Sequence, residues 1–339
     1  MWDKYHLATS FYMWKDFVTL HESLCFLGYS YIIRKRKKVN TMEFIQAKTL
    51  VQSVQHGRQW FGVDYNMNLY RGCCHGCIYC DSRSECYHVD NFDTVRIKQA
   101  TGMMLRNELA RKRRKGVVGI GAMSDTYNPF EKQYEVTREA LQILVQFHFG
   151  VCIETKSDLI VRDIDVLKEI QTYAPVITKL TVTTADDHLA KQIEPHAPSS
   201  SKRLQAIRTM RDAGIYAGVL MMPILPFIND TPANIKAVVK AAYDAHASFI
   251  YPSFGVTLRA NQRDYYYEKL DALYPGLRKQ YERTYGENYM CDSPQAKLLA
   301  SVFHQECNRY GIPYKMRDII AGYKQSYEQE RQIDQLSLF

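Results

Sequence analysis

The feature that most constrains the fold of this 339-residue chain is a regular alternation of short apolar runs and longer amphipathic stretches between residues 64 and 255. The apolar runs that predict strands are 65–70, 117–122, 150–155, 176–183, 215–221 and 248–254. The stretches that predict helices are 100–114, 132–147, 162–172, 200–213 and 232–246. Strands and helices that alternate at this interval indicate βαβ units and a parallel sheet, either as an incomplete barrel or as an open doubly wound sheet.

The pattern changes on both sides of this alternating segment. Beyond residue 255, two stretches predict helices, 262–285 and 293–310, and the residues from about 324 are polar. Residues 1–41 are rich in aromatic residues, lack clear periodicity and end in a basic run; they are predicted to be an extension outside the core, or alternatively a docked helix around 12–33. The predicted domains are an N-terminal extension over 1–41, a barrel over 60–260, a helical subdomain over 261–334 and a peptide motif over 335–339.

Composition excludes several classes of protein. Apolar residues make up 46% of the chain and charged residues 24%, which is ordinary for a globular protein and excludes a disordered chain, a collagen and a coiled-coil rod. The net charge of +8 permits a polyanion as a partner. No run of about 18 apolar residues is present, which is the length that a membrane-spanning helix requires. The basic cluster near the N-terminus comes after the neighbouring apolar stretch, whereas in a secretory signal the basic residues come first. We therefore expect no membrane span, no secretory signal and a cytoplasmic location.

Four of the nine cysteines, Cys73, Cys74, Cys77 and Cys80, fall within eight residues. Such a dense group, in a chain too long to need disulfides for its stability, indicates metal binding. Cys73, Cys77 and Cys80 form a CxxxCxxC pattern on a loop after a predicted strand. Three thiolates at this spacing can bind three irons of a cubane cluster and leave the fourth iron open, whereas electron carriers with a 4Fe-4S cluster use four cysteines.

Two other uses of these cysteines stay open at this point. A structural zinc site requires four ligands, and no candidate for the fourth has a familiar zinc spacing. The candidates for that ligand are Cys74, His75, Cys86 and His88. A redox dithiol formed by Cys77 and Cys80 would leave Cys73 without a role.

The cysteine loop resembles the radical S-adenosylmethionine (SAM) superfamily, in which CxxxCx-aromatic-C follows the first strand of a (βα)6 pattern. Three segments are similar to the spore photoproduct lyase-related group, whose members are often called DNA repair photolyases: Asn-Leu-Tyr-Arg-Gly-Cys-Cys-His-Gly-Cys-Ile-Tyr-Cys at 68–80, Glu-Thr-Lys-Ser-Asp-Leu at 154–159 and Pro-Ile-Leu-Pro-Phe-Ile-Asn-Asp at 223–230. The resemblance covers about 60–260. It implies a partial (βα)6 TIM-like barrel of the radical SAM type, followed by a mostly helical extension.

The resemblance also implies cofactors and an activity. A 4Fe-4S cluster at the open top of the barrel would bind SAM, and an electron from an external reductant would cleave it to a 5′-deoxyadenosyl radical that abstracts hydrogen. The implied substrate is nucleic acid, in a lyase-like reaction of DNA repair or modification. The alternatives are a radical SAM enzyme that acts on a peptide or small metabolite, and a zinc-stabilised nucleic-acid-binding module.

Cofactor contacts can be carried over residue by residue to the predicted strand ends. Tyr79 is expected to pack near the adenine, and Lys156 to pair with the cofactor carboxylate. Gly119 and Gly121 match a glycine-rich stretch that meets the methionine amino group, and Ser124 follows on the same loop. Each has an ordinary structural alternative: loop packing for the tyrosine, a solvated charge for the lysine and a tight strand end for the glycines.

Three further contacts follow later strands. Thr183 and Thr184 are expected to bind ribose hydroxyls, with β-propensity as the alternative, and Gly218 to contact the adenine, with core packing as the alternative. The sequence departs from spore photoproduct lyase after the second barrel strand, where that enzyme carries a hydrogen-donor cysteine. Residues 121–125 are Gly-Ala-Met-Ser-Asp and contain no thiol, so repair of spore photoproduct by that route is not expected.

The last five residues resemble the peptide by which many bacterial DNA-handling proteins bind the replication sliding clamp. They are Gln335, Leu336, Ser337, Leu338 and Phe339. A polar stretch with a terminal apolar pair suits docking into a groove, which predicts the clamp as a partner. The alternative is a C-terminal segment that packs on its own barrel.

Overall fold

Seven strands form the central sheet of the computed structural model, which describes residues 42–54 and 60–336. The strands in chain order are β1 (Met42–Ile45), β2 (Val51–Ser53), β3 (Tyr65–Met67), β4 (Tyr70–Arg71), β5 (Val95–Lys98), β6 (Val117–Ile120), β7 (Gly150–Thr155), β8 (Val176–Thr181), β9 (Tyr216–Met221), β10 (Ile250–Pro252), β11 (Gly255–Thr257) and β12 (Met290–Asp292). The sheet order is β10-β9-β8-β7-β6-β3-β2, and all neighbours from β10 to β3 are parallel. These six parallel strands are the six that the apolar runs predict.

The strand order decides between the two predicted architectures. Successive parallel strands lie next to each other in chain order, without the reversal that defines a doubly wound sheet. The antiparallel β2 and the short β10 form the two edges, so the sheet is an open barrel. The partial-barrel prediction is therefore confirmed, and β1, β4 and β5 form a separate three-stranded sheet beside it.

Helices connect the barrel strands and continue after them. They are α1 (Thr101–Ala110), α2 (Glu131–Tyr134), α3 (Val136–Gln146), α4 (Ile164–Gln171), α5 (Asp187–Ile193), α6 (Ser200–Asp212), α7 (Pro232–Asp244), α8 (Gln262–Leu273), α9 (Leu277–Tyr285), α10 (Ala296–Tyr310) and α11 (Met316–Leu336). Local signals explain several of their beginnings. Ser199 caps α6, and Thr231 caps α7 with Pro232 in the first turn. The predicted helix over 262–285 is divided in two at Pro275, which has no N–H to continue α8.

The central barrel strands β6, β7, β8 and β9 bury both of their faces. On β7, Val151 and Ile153 pack outward with helix residues such as Leu144. Cys152, between them, points to the opposite face and packs with Phe61 and Phe249 in the barrel lumen. Because both faces are covered, the strands appear in the sequence as nearly continuous apolar runs.

The C-terminal part is mostly helical, as the fold class predicts, but contains two elements that the pattern did not predict. Strand β12 pairs antiparallel with β11. The polar residues after 324 continue α11, which begins at Met316 and buries Ile319 and Tyr323 in the lumen cluster.

The chain divides into two units, Met1–Thr41 and Met42–Phe339. The predicted N-terminal extension coincides with the first unit and lies outside the described residues. The predicted boundaries at 260 and 334 stay predictions. Among the described helices, none combines the length and the apolar character that crossing a bilayer requires.

Candidate functional site

The cysteine loop, residues 72–80, follows β4 and begins with a glycine that its backbone requires. Gly72 has a φ of +80°, and a Cβ at this position would lie 2.3 Å from the carbonyl oxygen of Thr94. Only a residue without a side chain fits this close approach. The next residue, Cys73, donates its backbone N–H to the carbonyl of Phe92 at 2.9 Å. The start of the loop is therefore fixed against the segment that precedes β5.

The other side of the cysteine loop is anchored to the last residue of α5 and to the segment that follows it. The N–H of Ile78 donates to the carbonyl of Ile193 at 2.9 Å, and the N–H of His196 donates to the carbonyl of His75 at 3.0 Å. From the C-terminal part of the chain, the Gln262 side chain donates to the carbonyl of Tyr79 at 3.0 Å. Backbone groups of the loop are thus satisfied by distant parts of the fold, which holds the loop in one conformation.

Cys73, Cys77 and Cys80 lie on one loop, where Cys73 and Cys77 are buried and Cys80 is partly buried. Burial raises the pKa of Cys77 and of Cys80, and the charge of Cys73 raises both further. Three cysteines at this spacing on one loop suit a 4Fe-4S cluster that keeps one iron open for another ligand. Within 42–54 and 60–336, no three His, Cys, Asp or Glu side chains are arranged to hold a single metal ion.

The neighbouring cysteines lie in different surroundings. Cys74 is 1% exposed and packs in the main apolar core together with Leu69 and Tyr70. Burial raises its pKa to about 12. Cys86 is exposed, and its Sγ accepts a hydrogen bond from Arg259 at 3.1 Å. The structure thus separates Cys74 and Cys86 from the three thiols of the CxxxCxxC pattern.

Lys156 directly follows β7, and its side chain extends to the cysteine loop. In the barrel sheet, β6 separates β7 from β3, the barrel strand that precedes this loop in the chain. The Lys156 ammonium lies 5.7 Å from the centre of the Tyr79 ring. Burial opposes the charge of Lys156, but the charges of Cys77 and Glu194 outweigh burial and raise its pKa. The lysine and the tyrosine, which are 77 positions apart, are therefore brought together beside the candidate cluster ligands.

A buried ion pair orients Tyr79. The tyrosine hydroxyl donates to Glu194 Oε1, and Glu194 Oε2 lies 2.5 Å from Arg203 Nη2, with both charged side chains 1% exposed. Arg203 also donates to the backbone carbonyls of Thr181 and Pro198, each at 2.8 Å. The pair thus links the cysteine loop to the end of β8. Sequence reasoning missed it because the two residues lie on different segments with no motif between them.

Asp125, on the loop after β6, was also missed as a site residue, although its neighbour Ser124 was chosen. Its Oδ1 accepts from the Thr155 hydroxyl at 2.6 Å and from the N–H of Tyr127 at 2.9 Å. Its Oδ2 accepts from the N–H of Lys156 at 2.7 Å and lies 3.3 Å from Nδ1 of His75. Although burial raises the pKa of Asp125, the charge of His75 holds it below its usual range.

The predicted residues of β6 lie at or near its carboxyl end. Gly121 has a φ of +100°, and a Cβ there would come within 1.9 Å of the Glu154 carbonyl oxygen, so the crossing of this loop over β7 requires glycine. Gly119 lies inside β6, where a Cβ would be 3.0 Å from Oδ1 of Asn66. Ser124 is buried next to Asp125.

The later predicted contacts are less close to this group. Thr183 and Thr184 follow β8 and are each 1% exposed. The Thr184 hydroxyl accepts from the N–H of Asp186 at 3.1 Å, so it belongs to a local turn. Gly218 lies inside β9, and a Cβ there would be 2.5 Å from the Phe249 ring. The structure thus brings the cysteine loop, Tyr79, Lys156 and the Ser124 loop together, while Gly218 packs against an aromatic side chain of the lumen.

A second charged pair lies in the lumen below Lys156. Lys179 on β8 is 3% exposed, and its ammonium lies 3.3 Å from Oε2 of Glu154. The same ammonium is 4.1 Å from the centre of the Phe61 ring. A buried ammonium requires such partners. The alternation of inward-facing residues on β7 and β8 was the one sequence signal that could have placed these two side chains opposite each other.

Comparison with known proteins agrees with this geometry. A family model described as the Radical SAM superfamily matches residues 67–237. An uncharacterized protein of Mycobacterium tuberculosis H37Rv is 29% identical over 228 residues, which are 65% of this chain and 67% of that protein. An uncharacterized protein of Methanocaldococcus jannaschii is 33% identical over 172 residues, which are 50% of this chain and 63% of that protein.

Solved structures show the same fold. Spore photoproduct lyase complexed with dinucleoside spore photoproduct superposes with a TM-score of 0.62 at 13% identity, covering 81% of this chain and 82% of that one. The superfamily uses a 4Fe-4S cluster and SAM, and the three cysteines of the loop are the donor type that such a cluster requires. The family match spans half of the chain and includes all three thiols, so the chain belongs to the radical SAM superfamily and is a radical SAM enzyme.

Proposed function

We propose that this radical SAM enzyme acts on nucleic acid, in DNA repair or modification. The observation that carries the proposal is the likeness in fold to spore photoproduct lyase, which was solved with a dinucleoside lesion bound. The likeness covers 81% of this chain and thus extends beyond the residues of the family match. Shared architecture outside the common barrel supports a substrate of the same chemical class.

A stack of two side chains supports this substrate class. The Arg259 guanidinium lies 4.6 Å from the centre of the Tyr289 ring, and the tyrosine is 42% exposed. The carbonyl of Ala260 accepts from the N–H of Glu85, which connects the stack to the segment directly after the cysteine loop. Stacked arginine and aromatic side chains bind unpaired bases and backbone phosphates. We therefore assign nucleic-acid contact to the surface formed by Arg259 and Tyr289.

The cofactor roles of individual residues belong to the same proposal. When both are bound and an external donor supplies an electron, the cluster and SAM provide a 5′-deoxyadenosyl radical. Cys73, Cys77 and Cys80 hold the cluster, and Lys156 pairs with the SAM carboxylate. Tyr79, fixed by Glu194, presents its ring beside that lysine. Residues 121–125 contain no thiol, so we do not propose a hydrogen-donor cysteine on that loop.

Anaerobic reconstitution with iron, sulfide, dithionite and SAM tests the function. We expect 5′-deoxyadenosine to form, and to form faster with single-stranded or ultraviolet-damaged DNA. Arg259→Ala should weaken DNA binding, whereas Arg278→Ala, at another half-exposed arginine, should not. Equal rates with and without every DNA tested, together with unchanged DNA affinity of Arg259→Ala, would overturn the nucleic-acid assignment.

Lys156→Ala tests the cofactor contact separately. A charge-assisted hydrogen bond contributes about 1.5–3 kcal/mol, so SAM should bind about ten- to a hundredfold more weakly. The iron content should stay unchanged, and Lys202→Ala, at an exposed lysine of α6, is the matched control. If SAM affinity is the same in both variants, Lys156 is a strand-end charge without this role.

The sliding clamp remains a predicted partner. Residues 337–339 lie outside the described residues, and α11 ends at Leu336. The peptide comprising Gln335, Leu336, Leu338 and Phe339 therefore rests on its sequence alone. Its test follows in the Discussion.

A further inference from the structure

We infer that Asp125 is a positioning residue that fixes the cysteine loop against the end of β7. In this arrangement the open iron of the cluster and the ammonium of Lys156 would contact the same SAM molecule. The inference rests on the proposed roles of the three cysteines and of Lys156. It assigns Asp125 no contact with the cofactor.

The contacts of Asp125 are the first step of the argument. Its carboxylate is 8% exposed and meets four groups from three segments: the Tyr127 N–H, the Thr155 hydroxyl, the Lys156 N–H and the His75 imidazole. An ionised carboxylate only accepts hydrogen bonds and has about four lone-pair sites. The carboxylate accepts three hydrogen bonds and lies 3.3 Å from the His75 imidazole, so contacts with three segments hold it in one orientation.

The positions of these partners are the second step. His75 lies in the sequence between Cys73 and Cys77, so the 3.3 Å contact between its Nδ1 and Oδ2 of Asp125 holds the part of the loop that joins two candidate ligands. Lys156 is the first residue beyond β7, and its N–H donates to Asp125 at 2.7 Å. This bond determines where the lysine side chain leaves the sheet. One carboxylate thus holds both the cysteine loop and the backbone of Lys156 in position.

A nearby carboxylate provides a matched comparison. Asp163 is fully buried and also binds the loop after β6, since it accepts from the Tyr127 hydroxyl at 3.0 Å. Its charged partners are Arg138 and Arg162. Among the described residues, its hydrogen bonds and ion pairs do not include the cysteine loop or Lys156. If SAM binding only required buried carboxylates near this loop, Asp125 and Asp163 would be equally important for it. Our inference instead expects that Asp125 affects SAM binding and that Asp163 does not.

The experiment compares Asp125→Asn with Asp163→Asn in the full-length protein with a reconstituted cluster. The readouts are iron and sulfide content, the dissociation constant of SAM, and the change that SAM causes in the EPR spectrum of the reduced cluster. We expect Asp125→Asn to retain its iron, to bind SAM about tenfold more weakly through the loss of charge-assisted bonds, and to show a smaller spectral change. Asp163→Asn should lower stability and leave the dissociation constant unchanged.

Two further variants keep the outcome decisive. If Asp125→Asn does not fold, Thr155→Val removes one of its donors, and a several-fold weaker SAM affinity with full iron content is expected. Unchanged affinity in the folded variant, or equal losses in Asp125→Asn and Asp163→Asn, overturns the inference. If Lys156→Ala binds SAM normally while Asp125→Asn does not, the role of the lysine fails and the positioning role of Asp125 stands.

Discussion

The two ends of the barrel are built from different kinds of interaction. At the carboxyl ends of the strands, buried charges meet across segments: Asp125 contacts His75, and Glu194 pairs with Arg203. In the lumen below, aromatic and aliphatic side chains fill most of the space, α11 adds Ile319, and one charged pair, Lys179 with Glu154, lies among them. Buried charges are costly and specify geometry, whereas apolar packing supplies stability. Two of these three charged contacts therefore lie at the end that carries the candidate cofactor site, and the third, between Lys179 and Glu154, lies below it.

The lower region is closed by the C-terminal helix and not by a strand. The Tyr323 hydroxyl donates to the carbonyl of Phe61 at 2.5 Å, and the Phe61 ring packs 5.9 Å from that of Phe249. These side chains lie in the same apolar cluster as Cys152. We expect that substitutions in this apolar cluster change the free energy of unfolding without moving the cysteine loop. Four predictions test this separation, from the largest expected effect to the smallest.

The largest effect is expected at the cluster ligands. Cys77→Ala should lose the iron and abolish SAM cleavage, because three thiolates are needed to bind three irons of the cluster. Cys74→Ala should retain the cluster absorbance and lose only about 1 kcal/mol of stability, since Cys74 packs in the apolar core. Iron analysis and the visible spectrum decide the matter. Equal iron loss in both variants would falsify the ligand assignment.

The next effect concerns the buried pair at the carboxyl end. Arg203→Met leaves the Glu194 carboxylate buried and without its charged partner, which should cost about 3–5 kcal/mol in the free energy of unfolding. SAM should also bind more weakly, because Glu194 orients Tyr79. Chemical denaturation and SAM titration measure the two effects. The double variant Arg203→Met/Glu194→Gln should recover part of the lost stability, because it removes the unpaired charge. If the double variant is no more stable than Arg203→Met, the unpaired carboxylate is not the cause of the loss.

Below the site, truncation of one buried side chain should lower the stability of the fold and leave SAM binding unchanged. Ile319→Ala removes buried methyl groups from the lumen cluster and should cost about 2–4 kcal/mol in the free energy of unfolding. The dissociation constant of SAM should not change. Arg317→Ala, at a highly exposed position on the same helix, is the control. A SAM affinity that falls with Ile319→Ala would show that the two ends are coupled.

The smallest effect on the enzyme is expected from deleting residues 335–339. Burying Leu338 and Phe339 in a clamp groove would contribute about 3–6 kcal/mol before ordering costs, which suits micromolar affinity. The deletion should abolish binding to a bacterial sliding clamp and leave SAM cleavage and the unfolding free energy unchanged. Calorimetric titration of the intact and shortened proteins measures this. Absence of binding by the intact protein, or unfolding of the shortened one, would identify the tail as a structural segment.

Much of the architecture was predictable because its signals are local. The apolar runs of β6, β7, β8 and β9 are continuous since both faces of each strand are buried, and they indicated a parallel sheet. The CxxxCxxC spacing lies within eight residues and favoured the cluster over a zinc site or a redox dithiol. Helix α11 was not predicted, because its buried residues, such as Ile319 and Tyr323, are few and are stabilised by packing in the lumen, while the residues after 324 are polar.

The sequence by itself determined the order of strands and helices, the cysteine pattern and the place of Lys156 at a strand end. Only the tertiary structure decided which side chains meet there. Glu194 and Arg203 pair with each other and with Tyr79, and Asp125 joins His75 to Lys156. Secondary structure follows from periods of two and 3.6 residues along the chain. Pairing of buried charges depends on which loops converge, a property of the folded open barrel that no local period encodes.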